Sequence, residues 1–281
     1  MPMRGAAMTG ATLEVLVDPP LPGADNMARD EALLHAVGRG DALPRLRFYA
    51  WSAPTLSLGY FQPFDEVGRQ PEPIASLPVV RRTTGGGAIL HDLEVTYALV
   101  VPIGHPWLRP NANRLYELAH RAIIGAVGPP ARMAGREGLP GACDQRGSVS
   151  ISRTHRAGPF FCFDRRHTYD VVVPCEHESG ATSKLAGSAQ RRTRTAVLQH
   201  GSLMLDSRFP QQSCATWRSL GGPGAFAPAV EHLRASFERE LGMATTVGSW
   251  SAILLDAAAA LIAKYAGSEW TLGSSGTGVS P

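Results

Sequence analysis

The sequence predicts a mixed α/β (α+β) fold, a largely antiparallel sheet flanked by helices. Three observations carry this. Segments with strand periodicity and segments with helical periodicity are interleaved along the chain rather than grouped. Several strand candidates follow one another through short loops, as antiparallel pairing allows. At 281 residues, with 44% hydrophobic and 18% charged, the chain is long enough to bury a core and has an ordinary globular composition.

The elements follow in order. A short strand is expected over 13–17. A helix is expected over 26–37, where Met27, Leu34 and Val37 share one face and Gly38 and Gly40 supply the stop. Leu46, Phe48 and Ala50 alternate with Arg45, Arg47 and Tyr49, the pattern of a half-buried strand. Short strands at 55–58 and 78–80 come next, the second running into Arg81-Arg82-Thr83-Thr84-Gly85-Gly86-Gly87. β-Branched and aromatic residues mark a strand over 95–101 that ends at Pro102. Residues 111–127 read as a helix, with Leu115, Leu118, Ala119 and Ile123 on one side and Pro129 and Pro130 behind it.

The polar, Gly-rich stretch 135–158 reads as irregular, with one short strand at 149–152. Residues 169–173, 183–190 and 196–205 form three consecutive strands, the first two joined by a polar loop over 174–180. Val230, Leu233, Phe237 and Leu241 mark an amphipathic helix, and 251–266 another. The chain has no internal repeat. The expected organisation is a single domain over 1–266 and a disordered Gly/Ser-rich tail over 267–281.

A formal net charge of +3 is too small to argue for a nucleic-acid partner. No segment approaches the ~18 apolar residues of a membrane span, and residues 1–12 lack the apolar run of a signal peptide. The expectation is therefore a cytoplasmic protein with neither nucleic acid nor membrane as partner. Cys143, Cys162, Cys175 and Cys214 form no CxxC pair and have no histidine at ligand spacing. Neither a metal site nor a disulfide framework is indicated.

Candidate chemistry starts from a compositional bias. Only two of the 27 basic residues are lysines, and one opens Lys184-Leu185-Ala186-Gly187-Ser188-Ala189-Gln190. Lysine is a compact ammonium that can meet a reacting carbonyl as a point charge. The small residues after it would leave room for a ligand on the strand surface. The alternative is a chance survivor of an arginine-biased composition.

Gly85-Gly86-Gly87 follows a strand, so backbone amides there can approach a ligand closely; a plain tight turn is the other reading. It is neither a phosphate-binding P-loop nor a dinucleotide fingerprint, since no Gly-Lys-Ser/Thr follows and the glycines are contiguous. Arg82, Thr84 and His91 flank it. His200 interrupts an apolar strand in Gln199-His200-Gly201-Ser202, where polar residues cost stability unless paired or used. His91 and His200 are site residues or satisfied core histidines. Cys162, between aromatics in Phe160-Phe161-Cys162-Phe163-Asp164, is a buried hydrophobe or a nucleophile needing a nearby cation.

Taken in order, these segments resemble the biotin/lipoate protein ligase and octanoyltransferase superfamily. The matching runs are Asn26-Met27-Ala28 with Asp30-Glu31, Ser57-Leu58-Gly59-Tyr60-Phe61-Gln62, Arg81 to Asp92, Lys184 to Gln190, and Gln199 to Ser202, spanning about residues 13–240. The resemblance implies a biotin/lipoate ligase-like catalytic domain, a mixed sheet flanked by helices. It implies that Lys184 is the essential cation and that Arg82, Thr84, Gly85, Gly86, Gly87 and His200 line the acyl and carbonyl pocket. His91 and the Gly187-Ser188-Ala189 strand surface are included in that binding site.

Two branches are separated by the residues around Cys162. Cysteine-dependent octanoyltransferases carry Cys-Phe-Asp upstream of a Tyr-Asp/Glu strand, as Cys162-Phe163-Asp164 and Tyr169-Asp170 do here, and Glu94-Val95-Thr96-Tyr97 is also similar to that branch. ATP-dependent lipoate ligases carry Arg-Asn-Asp before the lysine strand, and no Asn stands here. Gly87 departs the other way, because the transferases often have Arg there. The segment 174–183 is longer than usual as well.

The resemblance thus implies an octanoyltransferase of lipoate biosynthesis, with Cys162 as covalent carrier and Lys184 as electrostatic partner. Its partners would be octanoyl-acyl carrier protein and a lipoyl-domain acceptor such as glycine cleavage H protein. No cofactor is needed; ATP and Mg enter only under the alternative, a lipoate/octanoate ligase. A non-catalytic acyl-binding relative is a second alternative. Arg165, Arg166, Arg191, Arg192 and Arg194 would form a basic rim for acidic partners or simply a solvated face.

Overall fold

The computed structural model describes residues 12–135, 159–175 and 181–273. The expected strand at 149–152, residues 176–180 of the expected loop and the tail beyond 273 lie outside the described residues. The chain begins with β1 (Leu13–Val17), α1 (Gly23–Arg39), β2 (Arg45–Tyr49) and β3 (Thr55–Leu58). Two short strands, β4 (Val79–Arg81) and β5 (Ile89–His91), precede β6 (Glu94–Pro102) and α2 (Asn113–Val127). After β7 (Arg132–Met133) and β8 (Val171–Pro174) come the long pair β9 (Thr182–Arg192) and β10 (Ala196–Met204). The chain closes with α3 (Phe226–Leu241), β11 (Thr245–Val247), α4 (Ala252–Ala266) and α5 (Ser268–Leu272).

An eight-stranded sheet runs β11-β1-β2-β6-β10-β9-β8-β7, and a three-stranded sheet runs β4-β3-β5. In the large sheet only β1 pairs in parallel, with β11 and β2; the remaining pairs are antiparallel. Alternation along β6 sorts the molecule into layers. Val95, Tyr97, Leu99 and Val101 turn into one core with Leu115, Leu118 and Ile123 of α2 and Leu233 and Phe237 of α3. Ala98 and Val100 turn the other way, into a core with Leu33, Leu34 and Val37 of α1 and Tyr265 of α4. The small sheet has its own apolar cluster, including Leu56, Leu58, Ile74 and Leu90. The mixed, mostly antiparallel sheet flanked by helices is the fold that the sequence predicts.

Helix α1 ends where Gly40 takes a left-handed φ of 82° and returns its amide to Ala36 and Val37, a stop that costs glycine little. Its inner face is partly polar for a reason. Arg47 of β2 is completely buried. Its Nε donates to Asp18 at 2.7 Å, one terminal nitrogen to Asp30 at 2.6 Å and to the Asn26 carbonyl, and the other to the Asn26 side chain at 2.8 Å. The guanidinium also lies 3.8 Å from the Tyr49 ring centroid. Asp18 in turn accepts from Arg29 and Trp250. Burial penalises each of these charges, and the pairing more than offsets it: Asp30 is held below the usual carboxylate range and Arg47 above its ordinary value.

Three differences from the sequence reading have local causes. Strands β5, β7 and β11 are two or three residues long, too short for alternation to show. The expected strand at 169–173 begins at Val171, because Asp170 closes a turn by accepting from the His167 amide. The third is a correction: residues 267–273 are not a disordered tail. Trp270 donates its ring N–H to the Arg81 carbonyl, and the buried Arg81 guanidinium donates to the carbonyls of Trp270 and Thr271. Those carbonyls are the orphan acceptors of a helix C-terminus, so the arginine captures a segment whose composition reads as linker.

Replacing Arg47 by Met leaves Asp30 buried without its arginine and Asp18 with Arg29 alone. A loss of about 3–5 kcal/mol of stability is expected, measured as a shift of the chemical-denaturation midpoint at unchanged slope.

Candidate active site

A pocket whose empty space comes to about 490 Å³, the open solvent at its mouth included, lies between the large sheet and the small one. Its floor is built from strand residues without bulk: Gly187, Ser188 and Ala189 of β9 and Gly201 and Ser202 of β10. Arg82, Gly86, His91, Cys162 and His200 also line it. Of the residues singled out by sequence, these are therefore brought together. Thr84, Gly85 and Gly87 stand next to the lining residues and brace them. Thr84 turns its hydroxyl to His200 at 2.6 Å, and the Gly85 and Gly87 carbonyls accept from Arg82 at 2.8 and 2.7 Å.

Lys184 meets Cys162 at the cavity's end. Its Nζ stands 3.8 Å from Sγ and donates to the Cys162 carbonyl at 3.2 Å and to Asp170 at 3.0 Å. Burial works against the ammonium, but the Cys162 sulfur and the Asp170 carboxylate outweigh it and hold the pKa above its ordinary value. Lys184 is therefore a fixed cation at neutral pH. A cation beside a cysteine supports a thiolate nucleophile. Asp164 of the same turn is exposed, so Asp170 is the carboxylate that serves the lysine.

The backbone around Lys184 explains its direction. Val172 pairs with Lys184 and Val171 with Ala186, leaving Leu185 as an extra residue in β9. This β-bulge sends both Leu185 and Ala186 into the core beneath the sheet and returns Lys184 to the cavity face, which strict alternation with Gly187 would deny it. The lysine then folds across Gly187. A Cβ on Gly187 would stand 2.7 Å from Nζ and 3.2 Å from an Asp170 oxygen.

Cys162 is set by its neighbours. It begins a short 3-10 turn, and its amide donates to the Ala88 carbonyl at 2.7 Å, directly after the glycine run. Arg165 and Arg166 brace that turn by donating to the carbonyls of Pro159, Phe163 and Thr182. The two segments touch so closely that a Cβ on Gly87 would lie 2.9 Å from the Cys162 nitrogen and 2.8 Å from the Phe160 carbonyl. A bare third loop residue is the condition for this contact in this chain.

Both candidate histidines are fully engaged. His200 donates to Asp30 at 2.9 Å and bonds the Thr84 hydroxyl through its other ring nitrogen. His91 bonds Glu94 at 2.6 Å and Ser57 at 2.7 Å, and stacks on Trp51 with centroids 3.8 Å apart. Burial lowers the His91 pKa despite the Glu94 charge beside it. Ser57, His91 and Glu94 thus share the connectivity of a hydrolytic triad. Ser57 is completely buried, however, and accepts from Arg82 at 3.0 Å, so the chain's office is to fix Arg82 beneath the glycine loop. Burial lowers Arg82 to about 10 even with the Cys162 charge nearby, which leaves it cationic at neutral pH.

Behind the floor, His120 of α2 bonds the Tyr169 carbonyl and Ser188, and Ser188 bonds Tyr97. Burial pushes His120 down to about 4, against the pull of the Tyr169 carbonyl. The sequence reading missed His120, Ser57, Asp170 and the walls Met27, Tyr49, Trp51 and Thr96. Parity along β6 carried a signal for Thr96, which sits between core residues Val95 and Tyr97. Of the other cysteines, Cys143 lies outside the described residues, and burial pushes the Cys214 thiol up to about 11. Among the described residues, no three His, Cys, Asp or Glu side chains cluster as metal ligands, and no helix is long and apolar enough to cross a membrane.

Residues 22–213 match the family model described as the lipoyl protein ligase A/B catalytic domain. The chain belongs to this family. It is 34% identical over 270 residues to the octanoyltransferase LipM of Kyrpidia tusciae, covering 88% of this chain and 93% of that one. It is 33% identical over 278 residues to the octanoyltransferase LipM of Symbiobacterium thermophilum, covering 89% and 94%. Among solved structures, a lipoate-protein ligase A bound with ATP superposes with a TM-score of 0.70 at 20% identity, covering 94% of this chain and 99% of that chain. A chain from the bi-partite lipoate protein ligase and E2 lipoyl domain study of Thermoplasma acidophilum gives 0.63 at 18%, covering 96% and 99%. These two show the fold.

Two outcomes follow from the geometry. Gly187→Ala is expected to displace Lys184 and reduce turnover by about a hundredfold while the thermal midpoint moves little; activity and melting of the same preparation check this. His120 sets a pH dependence. Its folded pKa of about 4 lies below the ordinary 6.5, so between those values the unfolded chain binds more protons. Stability is full above about 6.5 and falls as pH drops toward 4, and urea midpoints across that window for wild type and His120→Gln are expected to diverge, the variant being flatter.

Proposed function

We propose that this chain is an octanoyltransferase of lipoate biosynthesis that works through a thioester on Cys162. The observation that carries the reading is the Cys162 sulfur 3.8 Å from Lys184 Nζ at the end of a pocket floored by small strand residues. An adenylate-forming ligase has no use for a thiol there. Relatives named octanoyltransferase, similar over most of the chain, point the same way.

Octanoate arrives as a thioester on acyl carrier protein. The Cys162 thiolate attacks the carbonyl, a new C–S bond forms, the carrier's C–S bond breaks, and the carrier leaves as its thiolate, which takes a proton from water. Lys184 faces the negative charge that develops on the carbonyl oxygen, with amides of the glycine loop as further donors. The neutral amine of an acceptor lysine, on a lipoyl domain such as glycine cleavage H protein, then attacks the octanoyl-enzyme. The C–N bond forms, the C–S bond breaks, and the amine proton passes to the departing thiolate. Thioester exchange is nearly isoenergetic and thioester to amide is downhill, so neither ATP nor another cofactor is required. Asp170 keeps Lys184 charged and placed throughout.

Both partners present acidic surfaces in this reading. Arg166, Arg191, Arg192 and Arg194 are exposed and form no ion pair among the described residues, which suits a rim that meets donor and acceptor in turn. The protein acts in the cytoplasm, where the carrier and acceptor domains reside.

The test uses octanoyl carrier protein and apo acceptor without ATP, followed by intact mass of both proteins. An octanoyl adduct on the enzyme that is absent in Cys162→Ala, and its passage to the acceptor, are expected. Transfer that needs ATP and free acid would sink the cysteine mechanism in favour of the ligase. Binding of the carrier with neither adduct nor transfer would identify a non-catalytic relative.

A further inference from the structure

We propose that a row of residues crossing four strands measures the acyl chain, with Tyr49, Trp51 and Met27 as its end stop; the proposal rests on the transferase reading above. Strand register lays the row out. Gly187 pairs with Ser202, Ser202 with Thr96, and Thr96 with Tyr49, and all four line the cavity. They lie at one level on β9, β10, β6 and β2, on the same face. The row starts beneath the reacting atoms, because Lys184 folds across Gly187 and reaches Cys162.

Size along the row changes abruptly. Glycine, serine and threonine leave a shallow trough over three strands, and the fourth strand raises an aromatic wall. Neighbouring strands are ~4.8 Å apart, so the trough from β9 to β2 measures about 14 Å before the wall's own thickness is taken off. An extended octanoyl chain is about two strand spacings long. Attached to Cys162 over β9, it ends above β6, against the wall. Each further pair of methylenes adds about half a strand spacing, which the wall occupies.

The stop is rigid. Tyr49 is held by its hydroxyl to Asp30 at 2.9 Å and by the Arg47 guanidinium on its face. Trp51 donates to Thr96 at 3.0 Å and is stacked on His91, which Glu94 and Ser57 pin. Met27 of α1 packs in the same buried cluster as both aromatics. A wall with no slack gives a sharp cut-off, since a methylene that does not fit changes discrimination by about tenfold or more. The trough also favours an unsubstituted chain. The Ser202 and Thr96 hydroxyls both donate to Glu94, so neither has a proton left to offer a polar group on the acyl tail.

The experiment offers an equimolar mixture of hexanoyl, octanoyl, decanoyl and dodecanoyl carrier protein and reads the acyl-enzyme by intact mass. Wild type is expected to carry octanoyl, with decanoyl and dodecanoyl at least about tenfold lower. Met27→Ala and Trp51→Leu are expected to raise the decanoyl-to-octanoyl ratio by about tenfold, and Ser202→Leu, which fills the trough halfway, to shift the adduct toward hexanoyl. Because Trp51→Leu also removes the Thr96 and His91 contacts, a melting curve accompanies each variant, and Met27→Ala decides alone if the tryptophan variant does not fold. An unchanged profile in folded Met27→Ala overturns the ruler while leaving the transferase intact. No adduct from any donor on wild type overturns both.

Discussion

The guanidinium of Arg47 is buried in the seam between helix α1 and the sheet, and the site depends on how its charge is met. Every ion taken out of water must be matched nearby. Arg47 is matched by Asp18 and Asp30, and Asp30 has a second task, to accept from His200. His200 then holds Thr84, the residue just before the glycine run. One line of hydrogen bonds therefore leads from the most buried charge to the loop facing the reacting atoms. The helix fixes the arginine, the arginine fixes the aspartate, and the loop's position is inherited from both. Tyr49, held by the same aspartate, brings the end of the cavity into this line as well.

Across the cavity a second set of polar residues does comparable work from the small sheet. Arg82 directs its two terminal nitrogens to Ser57 and to the glycine carbonyls, and Glu94 gathers His91, Thr96 and Ser202. The result is a cavity whose lining is mostly apolar or satisfied, the buried Nε of Arg82 excepted, while its supports are ionic. Such an arrangement resists collapse when empty, because closing it would break charged hydrogen bonds in a medium of low dielectric. Preorganisation of this kind is what a site acting by electrostatics requires.

Much of this was legible in the residues. Strands at 13–17 and 55–58 fall where periodicity places them, since alternation survives wherever a strand separates two environments. Cys162, Lys184, His91 and His200 stood out because charge, thiol or imidazole in an apolar or small-residue setting is costly unless it is used. The rest depended on distance. Asp170 and Lys184 meet through pairing of β8 with β9, and nothing in their spacing announces a contact. Thr84 stood out because it adjoins the glycines, but that its hydroxyl answers a histidine 116 positions on could not be read from spacing. Residues 267–273 were read by composition alone, and the partner that holds them, Arg81, lies on a strand far away in sequence.

The extra residue in β9 has a consequence for comparing chains. Lysine and glycine three apart cannot share a face of a regular strand, so the odd interval is a written trace of the bulge. A relative with the lysine two or four positions before the glycine would present it to the cavity from a flat strand. The interval therefore reports backbone shape, and two chains with the same residues at different parity would arrive at the same ammonium by different geometry.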